Sequence, residues 1–464
     1  MNALLLACRN LLRNRRRSLV TLFAMALGLT TVLLFGGYVR DIKYAMQTDF
    51  VMRSGHLQVQ HRDYFLRGSG NPAAYGIEGY EAVIGAIQAD PVLAPLVKVV
   101  TPVLQFGGIA GNFAAGASRT VLVTGIVAQE QNRMRSWNDF GLNFAMVPVP
   151  LVGTGPDDVV LGVGVARVLN LCAALKVPGC DDDARAEPAQ GAAVLPADLQ
   201  DLAAATQPAT GPATGAPQIE ILANGPKGAP NVATVRPIRA EFQGVKEFDE
   251  VAVIAHLPLA QRLVFGSGAK QVTAIAVQLH HTADIGVAQA RLDRILAERF
   301  AAQPLATVDF ATLNPFYGQT MQMFGTLFGF IAVLIGGIVL FTVINTMSMT
   351  VVERTVEIGT LRAIGLRRQG VRRMFVIEGL VLGLAAAAVG VVSSLLLAGL
   401  VNRLGIQWMP PGRVEPALVS IGLGGEYLLI LSTAAVLVLL ACVSSLVPAA
   451  RASRMNIVDA LRHA

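Results

Sequence analysis

The residues whose types and spacing could do specific work lie between Thr350 and Gly379, TVVERTVEIGTLRAIGLRRQGVRRMFVIEG. Glu353, Arg354 and Glu357 follow a long apolar run that continues as a helix. Gly359 and Gly365 bracket a short segment, Thr360 to Ile364, and Gly365 suits a helix C-terminal cap. Arg367, Arg368, Arg372 and Arg373 then recur around Val371, Met374 and Phe375, the pattern of a helix lying along a membrane interface. A generic basic loop needs no glycine-bracketed block, whereas a rigid projection that docks a partner accounts for it. Catalytic patterns are missing. No G-x-x-x-x-G-K-[ST] phosphate loop, H-E-x-x-H or G-x-S-x-G occurs. Gly162-Val163-Gly164 lacks the third glycine of a dinucleotide fingerprint and reads as a strand-to-helix turn. His280 and His281 read as solvated residues at a strand end, and Glu247, Asp249 and Glu250 as turn acids. No active site, metal site or cofactor is expected in this chain.

The elements that carry the block are membrane helices. Of 464 residues, 53% are hydrophobic and 15% charged, against about a quarter charged in soluble domains. Four runs are long enough to cross ~30 Å of hydrocarbon. The expected organisation is a cytoplasmic amphipathic helix at 1–17 and spans at 18–39, 321–352, 379–402 and 427–450. A domain at 40–320 carries a flexible insertion at 181–217; a cytoplasmic segment fills 353–378, a short outer loop 403–426 and a tail 451–464. The first run is too long for a signal-peptide core and no Ala-x-Ala site follows it.

Charge placement orients the chain. The net charge is +6, but residues 40–320 hold 21 basic and 25 acidic side chains. The excess of arginine therefore flanks the spans, at Arg9 to Arg17, Arg354 to Arg373 and Arg451 to Arg462. Such flanks mark the cytoplasmic side and not a phosphate-binding face, so nucleic acid is not an expected partner. Both termini and the second loop are expected inside, the large domain outside. The fold class is thus membrane α-helical, with an α+β periplasmic domain inserted between the first and second spans.

Within that domain, strand-like runs (His56–Gln60, Val97–Val103, Arg119–Val127, Gln218–Leu222, Val232–Phe242, Glu250–Ala255, Gln271–Leu279) alternate with helical ones. Helices are expected from Ala82, at Leu257–Val264 and at Ile285–Phe300, and two discontinuous subdomains are the natural reading. The insertion is rich in Ala, Pro, Thr and Gly and buries too little to order itself; a partner-binding loop is the alternative. Cys172 and Cys180 lie eight residues apart in a compartment where disulfides persist. They are read as a disulfide, with two unpaired thiols as the alternative. Cys8 and Cys442 read as small apolar fillers.

The block then carries a resemblance. Glu353, Arg354, Glu357, Ile358, Gly359, Arg362, Ala363, Ile364 and Gly365, followed by Phe375 and Glu378, resemble the signature of the FtsX-like, MacB-like permeases of ABC transporters. The N-terminal RNLLRNRRRSLVTLFAMALG and the tail PAARASRMNIVDALR, with Ile457 where proline is usual, are similar to that family's ends. VVLGVGVARVLNL and EFQGVKEFDEVAVI resemble pieces of its outer domain.

The resemblance implies a non-catalytic permease of the bacterial inner membrane. Glu353, Arg354, Glu357, Ile358, Gly359, Arg362, Ala363 and Gly365 would form the coupling helix that docks on a separate ABC ATPase, which binds ATP and Mg. A second permease copy or paralogue would complete a dimer, and ATP-driven motion would reshape the outer domains by mechanotransmission, without a central channel. No fused ATPase domain is expected. SGHLQVQ after the first span resembles the lipoprotein-releasing, LolC/LolE-like branch, which works with a periplasmic chaperone. The alternatives are a tripartite efflux permease with a periplasmic adaptor and a transmitter that activates a cell-wall hydrolase; a membrane-anchored enzyme ranks last. Glu378, at the interface end of the third span, is expected to pair with Arg372 or Arg373.

Overall fold

The first apolar run lies inside one unbroken helix, α1 (Arg15–Ser54). At 1.5 Å per residue it measures about 60 Å, twice the hydrocarbon thickness. The helix therefore runs well past 18–39 and takes up the start of the segment read as outer domain. The computed structural model describes residues 9, 13, 15–68, 71–142, 146–180, 217–225, 228–266, 268, 270–408 and 416–456. The insertion, except Pro217, lies outside the described residues, as do Cys8, most of 1–14 and the tail from Ile457. Two units result: 1–44, 319–408 and 417–464, and 45–318 with 409–416.

The second unit follows α1 with β1 (Leu57–His61), β2 (Ile77–Glu78), α2 (Tyr80–Gln88), β3 (Val97–Asn112), β4 (Ala117–Ile126) and α3 (Ala128–Arg135). Next come β5 (Asp158–Gly162), α4 (Val163–Val168), β6 (Ile219–Asn224), β7 (Pro230–Glu241), β8 (Ala252–His256) and α5 (Leu257–Phe265). β9 (Gln271–Val272), β10 (Ala274–Leu279), α6 (Ile285–Arg299) and β11 (Leu305–Asp309) complete it. The run 271–279, read as one strand, is broken at Thr273. There the hydroxyl accepts from the Gln105 N–H at 2.9 Å while the Thr273 N–H donates to the Val103 carbonyl at 3.0 Å, so this residue bonds β3 through both side chain and backbone.

β3 is long enough to belong to two sheets. Its first half pairs with β10, and β1 and β11 extend that side in the order β11-β1-β10-β3. From Leu104 onward it pairs with β4, and Gly108 to Gly111 also pair with β6. The order β3-β4-β8-β5-β7-β6 therefore returns to β3 and closes a six-stranded ring. Closure removes free edges, and with them a route to aggregation. Leu57, Val83 and Leu292 on the open side join Phe106, Val123, Leu161 and Val253 of the ring in one buried apolar cluster.

The C-terminal end of α1 is seated in this unit by polar groups. Gln278 Nε2 donates to the Val51 carbonyl at 3.2 Å, and Gln131 Nε2 to the Met52 carbonyl at 3.1 Å. Both glutamines are buried; Gln131 meets a carbonyl of the helix end, and Gln278 adds a second donor to the Val51 carbonyl, which also accepts the Gly55 N–H at 3.0 Å. Gly55, at φ +79°, makes the left-handed turn out of the helix. Asp249, one of the three turn acids, has a capping role. It is buried and accepts from the backbone N–H of Val163, Gly164 and Gln243 at 2.8–3.1 Å. A disulfide joins Cys172 to Cys180, with Cα atoms 5.6 Å apart.

The first unit contains α7 (Pro315–Glu353), α8 (Thr355–Ala363), α9 (Arg368–Leu404) and α10 (Tyr427–Arg454). With α1, three of these make four helices, among the described residues, that are long and apolar enough to cross a membrane. Lipid is as apolar as leucine, so close backbone approach must hold such helices together. A Cβ added at Gly383 would lie 3.0 Å from Ala441 Cβ, and one at Gly379 would lie 2.9 Å from Ser445 Oγ, both on α10. Thr30 and Ser393 hydroxyls meet at 2.6 Å between α1 and α9. Outward faces carry Phe23, Phe330, Val333, Phe341, Leu396 and Leu428, as lipid contact demands.

Candidate functional site

The signature block lies where α7 ends. The helical trace stops at Glu353, Arg354 takes φ −107° and ψ 19°, and α8 begins at Thr355. α7 thus does not continue as a straight rod to Glu357, because the chain turns at Arg354. Gly359 does not bracket a segment either; it is buried in the middle of α8 beside Ile358. Gly365 ends α8 at φ +105°. The Gly365 N–H bonds the Arg362 carbonyl at 3.1 Å and the Leu366 N–H the Leu361 carbonyl at 3.0 Å. That pair of bonds is the Schellman motif, which needs glycine because a Cβ is strained at positive φ. The basic stretch after it is not a separate interfacial helix. Arg368 to Phe375 form the first turns of α9, which continues to Leu404 without a break.

Each charged residue of the signature has a partner inside the unit. Glu353 Oε1 accepts from Arg17 Nη1 at 2.8 Å, and Glu357 Oε1 from Arg13 Nη2 at 2.5 Å. Arg13 and Arg17 are four residues apart, as are Glu353 and Glu357. The matched spacing makes a two-rung ladder, its acidic side spanning the turn from α7 into α8. Arg354 turns the other way, into the helix packing, and its Nη1 lies 3.5 Å from Glu378 Oε2. Both side chains are only 4% exposed. The partner of Glu378 is therefore Arg354, not Arg372 or Arg373; Arg372 donates instead to Ser453 Oγ at 3.1 Å. Arg362 donates to the Met455 carbonyl at the end of α10.

Beneath these contacts Ile358 is buried with Met347, Val351, Val371, Phe375, Ala449 and Ala452. The block is thus fastened to α1, α9 and α10 at once. Glu353, Val356 and Glu357 stay exposed along one side, and so does the tip. Ile364 is 80% exposed, Leu361 and Leu366 are each 38% exposed, and Ala363 and Gly365 are exposed beside them.

Arg13 and Arg17 complete the site although the signature reading did not assign them a place in it, and Glu378, which closes the signature, completes it through a different partner from the one expected. For the arginines the matching spacing of four was a usable signal. For Glu378 the signal was an acid next to an otherwise apolar run. Among the described residues no cluster of His, Cys, Asp or Glu could hold a metal ion. The other acidic and histidine candidates lie in the second unit. Glu250 pairs with Arg119 at 3.0 Å and His281 with Asp139 at 2.7 Å, and Gly162 and Gly164 stand at the β5–α4 turn.

Comparison with known proteins assigns these regions. Residues 327–457 match the model of the FtsX-like permease C-terminal region, and residues 18–177 that of the MacB-like periplasmic core domain. Relatives include the macrolide export ATP-binding/permease protein MacB of Brucella abortus (strain 2308), 30% identical over 38% of this chain and 27% of the relative. MacB of Shewanella sp. (strain ANA-3) is 29% identical over 42% and 28% of the two chains, and that of Escherichia coli (strain K12) 33% over 28% and 20%. The chain thus matches about a quarter of the length of these relatives. It carries a region similar to the FtsX-like permease C-terminal domain and one similar to the MacB-like periplasmic core domain.

Proposed function

We propose that this chain is the non-catalytic membrane subunit of an ABC transporter and couples ATP hydrolysis on a separate ATPase to movement of its own outer domain. The supporting observation is the α8 block, a short capped helix fastened on three sides that still presents an apolar tip to water. A segment made to transmit force needs both properties. In this reading the termini and the α7–α9 connection lie in the cytoplasm of a bacterial cell, and the domain carried by β1–β11 lies in the periplasm. The arginine flanks support that orientation. ATP and Mg are held by the partner, and two permease chains act together, as identical copies or paralogues.

Two cargo readings have specific support. Export of a small molecule through a periplasmic adaptor follows the printed names of the relatives, which are macrolide exporters. Lipoprotein release from the membrane follows the SGHLQVQ run, part of which forms β1. The test is purification of the tagged chain from its own host, with identification of whatever accompanies it. An ATP-binding chain bearing a phosphate loop is expected in every preparation, and failure to recover one from intact membranes sinks the coupling reading. Bound lipoprotein would favour release; an adaptor without lipoprotein would favour export.

A further inference from the structure

Resting on the coupling reading, we infer that the signature charges are an internal clamp, and that the ATPase is gripped by a different surface. That surface is the apolar tip Leu361, Ile364 and Leu366 together with Arg367, Arg368 and Arg373. The partner surface it fits is an apolar cleft rimmed by carboxylates.

The argument starts from what is already satisfied. Glu353, Arg354, Glu357 and Arg362 make their polar contacts within this chain. Arg354 is buried out of a partner's reach, and a partner of Glu353, Glu357 or Arg362 would have to share a side chain already bonded within this chain. The neighbouring arginines differ. Arg367, Arg368 and Arg373 are exposed, and none meets an acidic side chain among the described residues. They crowd the start of α9, whose first turn holds no acid. That placement opposes the helix dipole and is self-repelling. Beside them, three large aliphatic side chains face water on a nine-residue helix and its cap. An apolar patch rimmed by one sign of charge is completed by a partner with the opposite rim.

A bilayer surface offers apolar and anionic groups too, but position argues against it. α9 starts eleven residues before Gly379, where the uncharged run of this span begins. Eleven residues of helix rise about 16 Å. The headgroup layer extends only roughly 5–8 Å beyond the hydrocarbon on each side. The tip therefore stands beyond the headgroups, where a protein can meet it.

The test compares full-length variants for recovery of the ATP-binding chain, identified by its phosphate-loop peptides, at about 0.05 M and about 0.5 M NaCl, where screening lengths differ severalfold. The variants are Arg368→Glu/Arg373→Glu, Leu361→Asp/Ile364→Asp and the charge-matched control Arg451→Glu, an exposed residue on α10. Wild type and control are expected to retain the partner, with retention falling as salt rises. Each tip variant is expected to lose at least tenfold while eluting as a folded permease. Equal retention by wild type and tip variants overturns the inference and leaves the coupling reading standing. Equal loss in the control also overturns it, as does a loss of bound phosphatidylglycerol with the ATPase retained. If wild type carries no ATP-binding chain, the coupling reading fails first and this inference with it.

Discussion

Removing the Glu378 carboxylate, as in Glu378→Ala, leaves the Arg354 guanidinium buried without its countercharge. At 3.5 Å and an effective dielectric of about 20, the pair is worth about 5 kcal/mol of attraction. Part of that offsets desolvation, and deleting one member of a buried pair typically costs about 3–5 kcal/mol. Each 1.4 kcal/mol is tenfold, so the folded-to-unfolded ratio should fall by at least about a hundredfold under matched conditions. Detergent titration in mixed micelles can read this through thiol labelling of Cys442, on α10 in the same unit, in a Cys8→Ser background. The double change Arg354→Met/Glu378→Leu removes both charges and keeps most of the volume, so it should recover most of the loss. A cost below about 1 kcal/mol for Glu378→Ala, or a double variant no better than the single, would refute the buried-clamp reasoning.

Gly383→Leu should separate α9 from α10, because even a Cβ would come within 3.0 Å of Ala441 Cβ and 3.3 Å of the Val438 Cα. Loss of monodisperse permease is expected in gel filtration, with Gly399→Leu, which faces open space, as the tolerated control. His56 is buried, and that burial lowers its pKa to about 4, although nearby Asp139 pulls the other way. Unfolded histidine titrates near 6.5, so the folded domain binds fewer protons between the two values. Its contribution is full above pH ~6.5 and is lost as pH falls through ~4, amounting to about 3 kcal/mol. Trp137, whose ring centroid lies 4.9 Å from that of His56, can report it by fluorescence in a Trp408→Phe background. His56→Phe should flatten that dependence, and an unchanged acid profile would remove His56 as its cause.

How much of this could be read from the chain depended on whether the deciding partners were near in sequence. The strands of the second unit alternate well enough to place β1, β4, β6, β7 and β8 to within a few residues, while β3 was read only as far as Val103 and runs on to Asn112. The closed ring depends on β3 pairing with β6, more than a hundred residues later, and no local pattern announces that. β11 and α3 went unassigned for the same reason: the short run at 305–309 becomes a strand only because β1 pairs with it. Helix ends behaved similarly. α1 runs on to Ser54 because its last carbonyls are met by Gln131 and Gln278, which lie far along the chain.

For the Glu353–Gly365 block, to which a coupling role is proposed, the residue types were legible but their direction was not. A motif of alternating charges looks like a surface for a partner, and sequence alone cannot distinguish a charge facing outward from one facing a neighbouring helix. The structure separates them by geometry. Arg13 and Arg17 match the four-residue spacing of Glu353 and Glu357, and Glu378 lies opposite Arg354. A force-bearing segment has reason to be built this way. Charges spent on its own chain fix the angle at which α8 leaves α7, while a purely docking segment could leave that angle loose. An apolar, capped tip can then release and re-engage a partner without breaking the internal contacts that hold it.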